Sequence, residues 1–573
     1  MTRTGTPVIL AAMLTLGAAI APLYAQEMSS ARIKELIREA ALQAAKRDQQ
    51  PATPGAPGAT GAPARVKVPL TLDDAVKLAL DRNLDIAVQR LNPEIQDISI
   101  ASVASIYHPA VTSTLSAASQ ATPANSTLVG GQTAGAPVDI TADTYNGGIT
   151  QNVPWGGGNV AVALNNSRNT TTSLNTLYNP AYNTLWTGTY TQPLMRNFAI
   201  DQTRRTLQVT KLNRDVSDIQ LRATITNTVS NVREAYWNYV YAVQAVSVAQ
   251  QSVDLADQLV KDNQTRVEVG TMAPIDVVTA KSQAAAARQN LVVAQVTKAT
   301  NEIALKRLIV GGTDDPNWNA ELDAVDQPEF APQPVDIEAA VRRALADRTD
   351  LQIVKKDLQM NDVTLRYLRD QLKPQADLLA TYGVVGLGGT QLLKAAGTGV
   401  NSAPIGFLPG SYLDALSPLF RNQFPRWTAQ LNFSYPLFLS SQKASVARAR
   451  VQMNQVQAQV KQVELQIATD VTNAAVTLSS NAERVQAAQA ARQLAEETMK
   501  AEQSKFEVGM STNYNVILTQ RDLATAQTNE LQAILNYRIA LVELERLQQT
   551  TLQSLNITLL SPTAAGVITV AAQ

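Results

Sequence analysis

The sequence predicts an α+β membrane protein in which blocks of transmembrane β-strand join unusually long coiled α-helices, the pattern occurring twice in one chain. Three observations carry that prediction. Two runs, Leu194 to Val269 and Leu437 to Val508, contain neither Gly nor Pro over more than 70 residues each, an absence of helix breakers that favours continuous helix. Stretches of period-two alternation precede both runs, as half-buried strands require. Finally, the same landmarks recur in the same order in both halves of the chain.

At 573 residues the chain exceeds one ordinary domain, and its composition suits an elongated architecture. Aromatics are 5% and charged residues 17%, so long helices packed through small side chains fit better than a bulky central core. The 48 basic and 48 acidic residues cancel. With no concentrated Lys/Arg stripe, the chain lacks the positive field that a phosphate backbone needs, which excludes nucleic acid as an expected partner.

Residues 1–25 read as a secretory signal: Arg3 in the n-region, an apolar run from Pro7 to Ala21, and cleavage expected after Ala25. An uncleaved anchor is the alternative, because Leu23 is not the usual small residue three positions before the cut. Beyond this segment no apolar run approaches the ~18 residues of a membrane helix, so membrane insertion must use a β-barrel. Cysteine is absent, which removes disulfides, thiolate metal sites and a lipidated cysteine. Residues 26–65 comprise a short charged helix to about Gln50 and a Pro/Ala/Gly linker from Pro51 to Ala64.

The duplication defines the remaining domains, a first repeat over 66–330 and a second over 331–560, with a C-terminal tail at 561–573. At an offset of 265, Ala75, Val76, Ala79, Leu80 and Asp85 meet Ala340, Val341, Ala344, Leu345 and Asp350, and Pro109 meets Pro374. Gln192-Pro193-Leu194 matches Tyr435-Pro436-Leu437 at 243, and Lys261, Gln264, Glu268, Val269 and Gly270 match Lys500, Gln503, Glu507, Val508 and Gly509 at 239. Each repeat opens with a helix, about Leu72 to Ile106 and Ile337 to Leu372, with a kink or break expected at Pro93. Each long helix, about 100 Å at 1.5 Å per residue, turns back at a Gly into a second one, about Ile275 to Val310 and Tyr514 to Leu552. The repeats thus contain helical hairpins over 194–310 and 437–552. Val446, Ala449, Met453, Val456, Val460, Val463 and Ile467 form a heptad-like seam for side-by-side packing.

The β segments span 109–193 and 374–436, bounded by Pro109, Pro193, Pro374 and Pro436 as helix-to-barrel junctions. From Trp427 to Tyr435, Trp427, Ala429, Leu431, Phe433 and Tyr435 alternate with Thr428, Gln430, Asn432 and Ser434, the pattern of a tilted strand with lipid on one side and water on the other. The first segment is longer, 84 positions against 62. Tyr145 to Val153 and Asn159 to Arg168, joined by Pro154-Trp155-Gly156-Gly157-Gly158, fit an added hairpin, making six strands instead of four. The polar or Gly-rich stretches 120–143, 169–183 and 383–424 then read as external loops.

These elements resemble the TolC family of outer-membrane efflux and secretion channels over about Leu70 to Leu559. The resemblance rests on the opening Leu70-Thr71-Leu72-Asp73-Asp74-Ala75-Val76 with Asn83 and Asp85, on the Gln-Pro-Leu entering the long helix, and on the twin tips Arg266-Val267-Glu268-Val269-Gly270-Thr271 and Lys505-Phe506-Glu507-Val508-Gly509-Met510. It implies a homotrimer whose transmembrane β-barrel, set in outer-membrane lipid, continues into a long periplasmic α-helical coiled-coil barrel. It also implies an exit duct of a tripartite efflux or type I secretion system, passively conducting substrates delivered by an inner-membrane transporter through a periplasmic adaptor (membrane fusion) protein. Carried over by motif, the adaptor-contact tips are Val269, Gly270, Thr271, Val508, Gly509 and Met510. The candidate constriction is Asp276 with Asn515. The family's acidic gate is only partly matched, because Asn515, Leu518 and Ser511 replace charged residues in the second repeat.

No catalytic centre is expected. The single His108 lies beside Pro109 without Cys partners, and one His assembles neither a metal site nor a triad, so the chain is read as a non-enzyme without cofactor. Two rival classes remain. A coiled-coil scaffold or adhesin explains the helices but not the matched strand blocks, and an envelope hydrolase explains export alone.

Overall fold

The computed structural model describes residues 67–123, 136–327, 330–332, 334–395, 402–435, 437–438 and 440–557, all within the unit Arg65–Gln573. The signal segment, the short helix and linker, the C-terminal tail and the junction Pro436 lie outside the described residues.

In chain order the elements are β1 (Lys67–Leu70), α1 (Leu72–Arg82), α2 (Leu84–Ala104), β2 (Ala110–Thr122), β3 (Val138–Asn152), β4 (Asn159–Thr171), β5 (Tyr178–Pro193), α3 (Gln202–Glu268), α4 (Pro274–Ile309), α5 (Pro316–Asn319), β6 (Glu321–Ala324), α6 (Ile337–Asp347), α7 (Thr349–Asp370), β7 (Gln375–Leu393), β8 (Gly406–Leu408), α8 (Tyr412–Arg421), β9 (Pro425–Ser434), α9 (Ser440–Glu507), α10 (Asn513–Leu547) and α11 (Thr551–Ser554). The offset of 265 reappears as geometry. Leu72, Arg82 and Leu84 bound helices that correspond to those bounded by Ile337, Asp347 and Thr349.

The opening helix breaks at Asn83, not at Pro93. Asn83 leaves the helical conformation, its side-chain oxygen accepts from the N–H groups of Asp85 and Ile86, and its Nδ2 donates to the Leu308 carbonyl at 2.9 Å. A buried capping residue held from both sides sets the boundary, while α2 runs on through Pro93.

The long helices are close to expectation, 67 residues for α3 and 68 for α9. α3 begins eight residues later than predicted because the chain first makes a tight passage from the sheet. Asn197 takes φ 67°, Asp201 caps Arg204 N, and the Arg204 guanidinium gathers the carbonyls of Asn197, Phe198 and Ala199.

Each repeat has its own core. In the first, Val229, Val232, Tyr236, Tyr239, Leu305 and Ile309 pack with Ala75 and Ala79. In the second, Ile467, Val471, Leu478 and Tyr537 pack with Ala340 and Ala344, the residues equivalent to Ala75 and Ala79. The seam on α9 points inward as expected: Val446, Ala449 and Ile467 are buried, and Val446 and Ala449 meet Leu365 of α7. A small parallel sheet of β1 and β6 closes over the first core. There the Tyr236 hydroxyl donates to the Leu70 carbonyl at 3.1 Å and to Asp326 at 2.8 Å, and burial pushes the Tyr236 and Tyr239 phenols well up.

The remaining strands form one antiparallel sheet in the order β2-β3-β4-β5-β7-β9, with short β8 also on β7. The predicted hairpin is present as β3 and β4. The stretch 383–424 corrects the sequence reading: β7 runs on to Leu393, and α8 lies on the sheet. Gly386 and Gly388 form a seat for α8 instead of a loop. A Cβ on Gly386 would stand 1.9 Å from the Ala415 carbonyl oxygen, and one on Gly388 would stand 2.5 Å from Ala415 N.

Candidate functional site

The sheet has two chemically opposite faces. Residues paired directly across strands share a face, so the register assigns each side. One row runs Val111, Ile149, Val162, Gly188, Tyr382, Trp427, and the next runs Ala110, Thr150, Ala161, Thr189, Thr381, Thr428. The first face also carries Val160, Trp186, Leu431 and Phe433 and is strongly exposed at Val111, Leu115 and Trp427. The second is mainly Thr, Asn, Ser and Gln, with apolar Leu185, Leu379, Val385 and Leu387 on β5 and β7. Such a division is that of a membrane strand wall, apolar towards lipid and polar towards a wet lumen.

α8 lies on the apolar face. The Thr184 hydroxyl donates to the Ala415 carbonyl at 2.7 Å, and Tyr412 reaches Asn166 at 2.9 Å while its ring meets Tyr145 and Tyr182 edge-on. Ala415 and Pro418 are buried against the strands, whereas Leu413 is 71% and Phe420 87% exposed. The helix is therefore apolar over a wider arc than the sheet covers.

The junction between sheet and helices is closely fastened. Pro109 and Pro374 immediately precede β2 and β7, and Pro193 ends β5. The β3–β4 turn docks here, at the helical end of the sheet. Gln192 Nε2 donates to the Gly156 carbonyl at 2.8 Å, Gln151 and Asn152 donate to the carbonyls of Tyr107 and Ile106, and a Cβ on Gly157 would lie 2.6 Å from the Asn197 oxygen. His108 is exposed beside this turn, and among the described residues no group of His, Cys, Asp and Glu could hold a metal ion.

At the far end of the helices the two tips are near copies. Gly270 has φ 77° and Gly509 φ 78°. Gly270 N donates to Val267 O and Thr271 N to Arg266 O, matched by Gly509 N to Phe506 O and Met510 N to Lys505 O. These paired bonds make a helix C-cap in which the left-handed residue is best served by Gly. Val269, Val508 and Met510 are 68%, 71% and 78% exposed, and Ile275 and Tyr514 stand exposed beside them.

Sequence reasoning missed the latch that joins the tips. Asn263 Nδ2 donates to Asn513 Oδ1 at 2.8 Å, and Asn513 Nδ2 donates to the Asp276 carbonyl at 3.2 Å. Both Asn side chains are buried. Arg266 donates to the Phe506 carbonyl and stacks 4.3 Å above its ring. Asp276 follows Pro274 in the first turn of α4, where Ala273 provides no side-chain cap, and it is part-exposed. Asn515 is exposed in the first turn of α10, within 3.5 Å of Ser511 Oγ. Ser511 donates to Glu502, a carboxylate held below its ordinary range by that hydroxyl and then by Lys505 and Asn515. The structure thus puts Asp276 beside the latch and Asn515 in a separate polar cluster. The latch could have been found only by noticing that Asn263 and Asn513 each lie close to a tip glycine.

A family model described as "Outer membrane efflux protein" matches residues 158–311 and 340–548, more than half of the chain, in two segments that fall one in each repeat. Among solved structures, the chain resembles the CmeC outer membrane channel of Campylobacter jejuni at 14% identity, covering 83% of this chain and 85% of that one with a TM-score of 0.58. The outer membrane protein VceC of Vibrio cholerae matches at 13% identity, 83% and 95% coverage and a TM-score of 0.57. The open-state MtrE outer membrane channel of Neisseria gonorrhoeae matches at 16%, 83% and 88%, and 0.54. A search of the curated proteins finds no match.

Proposed function

The chain belongs to the outer membrane efflux protein family, a family of transport channels and not of enzymes, and from that membership we propose that three copies assemble into one exit duct. The single observation carrying this reading is the open sheet. Its outer strands β2 and β9 are exposed almost throughout and, among the described residues, are paired on one side only. Long bare edges invite pairing, and an unclosed sheet cannot cross lipid, where every backbone group needs a partner. A homotrimer closes the barrel by joining β2 of one protomer to β9 of the next. The apolar face then meets outer-membrane lipid, the Thr-rich face lines the exit, and Leu413 and Phe420 of α8 extend the lipid contact.

The helices form a shared periplasmic tunnel, about 100 Å long at 1.5 Å per residue, through which substrates pass passively. The tips Val269, Gly270, Thr271, Val508, Gly509 and Met510 dock the periplasmic adaptor of an inner-membrane transporter, in a tripartite efflux or type I secretion system. Their exposed apolar side chains, each beside a tight backbone turn, suit a protein partner. Asp276 and Asn515 face the periplasmic constriction. The domain order follows: signal peptide 1–25, short helix and Pro/Ala/Gly linker 26–65, repeats 66–330 and 331–560, tail 561–573. A coiled-coil scaffold would leave the two-faced sheet without a purpose.

Purification from the outer-membrane fraction in mild detergent tests the proposal. Trimers that conduct ions in a planar bilayer support it. A periplasmic monomer without conductance overturns it.

A further inference from the structure

We propose that the barrel formed by this chain has eighteen strands, six from each protomer, and a correspondingly wide exit. The inference rests on the trimeric reading above but draws on separate observations, namely the place of the β3–β4 hairpin in the sheet and the stagger of the register.

The hairpin is a full member of the wall. In the second repeat β7 and β9 pair directly; in the first, their counterparts β2 and β5 are separated by β3 and β4. β3 pairs without interruption from Ala110 to Thr122 on one side, and from Thr171 to Asn159 on the other. Its faces continue those of the sheet: Ile149 and Val162 on the apolar side, Thr150 and Ala161 on the other. The turn at 154–158 is tied to β5 through Gln192, and the strand end beside it is tied to the end of the opening helix through Gln151 and Asn152. A flap lying off the barrel would need none of this.

The stagger shows that the sheet is a sector of a tilted barrel. Following pairs from Ala110 through Thr150, Ala161, Thr189 and Thr381 reaches Thr428, six residues short of Ser434, the last paired residue of β9. The helix-side ends of the six strands are level only if the strands tilt. With ~3.3 Å per residue and ~4.8 Å between strands, six residues over five spacings give about 40°, inside the range of closed barrels.

Closure then leaves two registers. Alternating faces allow the neighbour's β2 to shift against β9 only in steps of two residues. Thr112 opposite Asn432 gives a climb of six residues per protomer and a tilt of about 35°, and Thr112 opposite Ser434 gives eight and about 43°. Shifts to either side of these give about 25° or about 49°, outside the usual range. Both allowed registers set Thr and Ser of β2 against the polar face of β9. At these tilts eighteen strands enclose a backbone diameter of about 34 to 38 Å, against about 23 to 25 Å for the twelve strands that four per protomer would give. The lumen behind the exit is then roughly twice as large in cross-section, so the barrel is not the narrow point for bulky cargo.

The test uses cysteine pairs in the full-length chain, which has no cysteine of its own. Facing Cα atoms at the 4.5 to 5.5 Å of antiparallel pairs are within disulfide reach. Thr112→Cys combined with either Asn432→Cys or Ser434→Cys should oxidise to a covalent trimer in one of the two pairings, while Thr112→Cys with Gln430→Cys should not. Electron cryomicroscopy of the same trimer in lipid nanodiscs should count eighteen strands. A trimer with twelve strands and the hairpin folded off the wall overturns this inference and leaves the trimer standing. Monomers or dimers overturn both.

Discussion

Replacing the tip glycines separates a turn from a joint. At Gly270 and Gly509 nothing lies within 4 Å of an added Cβ, so a side chain meets open space and its only intramolecular cost is the positive φ of 77° and 78°. For an ordinary L-residue that is about 1 to 2 kcal/mol per tip, against a C-cap closed by two backbone bonds in each case. Asn tolerates the left-handed region better and should cost less. Ala and Leu should cost about the same in the turn, because neither finds an obstacle. They differ only in what they present outward. If the tips are adaptor joints, the double Gly270→Leu, Gly509→Leu variant should lose export well beyond the double Ala variant, with the double Asn variant least affected and all three inserted as trimers. Substrate efflux from cells, normalised to trimer in the outer membrane, reads this. Equal export by the Ala and Leu variants would refute the docking role and leave the glycines as turn formers; normal export by the Leu pair would remove the joint altogether.

Four further outcomes follow from the same geometry. Asn513→Ala leaves the buried Asn263 amide without its acceptor, a loss of about 1 to 3 kcal/mol; distances between nitroxides at 269 and 508 should broaden, and an unchanged distribution would mean that the apolar contacts alone hold the tips. If Asp276 lines the constriction of a trimer, three carboxylates around one axis attract cations and Asp276→Asn should reduce cation selectivity; unchanged reversal potentials would exclude it from the lumen. Glu502 is held below its ordinary value of 4.5 chiefly by Ser511, so its ionised form stabilises the second tip. That contribution is present above pH 4.5 and is lost as pH falls through the depressed value. A nitroxide at Met510 should therefore stay ordered at pH 4.5 and loosen only below it, and Ser511→Ala should move the loosening upward, whereas a pH-independent spectrum would contradict the network. Nitroxides at Leu413 and Phe420 in nanodiscs should collide with oxygen more than with a water-soluble nickel chelate, and one at Thr428 the reverse; water access at all three would place α8 outside the lipid.

Legibility in the sequence followed the physics of each element. Gly270 and Gly509 were readable because a lone Gly after a long breaker-free run has few uses other than a left-handed cap. The inserted β3–β4 hairpin was readable from its Trp-Gly-Gly-Gly turn and its flanking alternation. The strand ends were not, because a strand rich in Thr, Asn and Ser looks like a loop: β5 begins at Tyr178 and β3 at Val138, inside stretches expected to be loops. Gly386 and Gly388 misled for the opposite reason, since glycine that admits a packed helix cannot be told from glycine in a turn until Ala415 is placed above it. The break at Asn83 prevailed over Pro93 because two side-chain caps and a bond to Leu308 fix it, and that last contact spans 225 positions. The Asn263–Asn513 latch spans 250 and joins two neutral amides that no local motif announces.

The most direct test of the account is single-channel recording on purified protein, with trimers and dissociated monomers measured side by side in planar bilayers. The account predicts stable conductance from trimers, cation-preferring, and none from monomers, because one protomer offers an open sheet whose two edges cannot meet. A monomer that conducts stably, or a trimer that does not conduct, would contradict it.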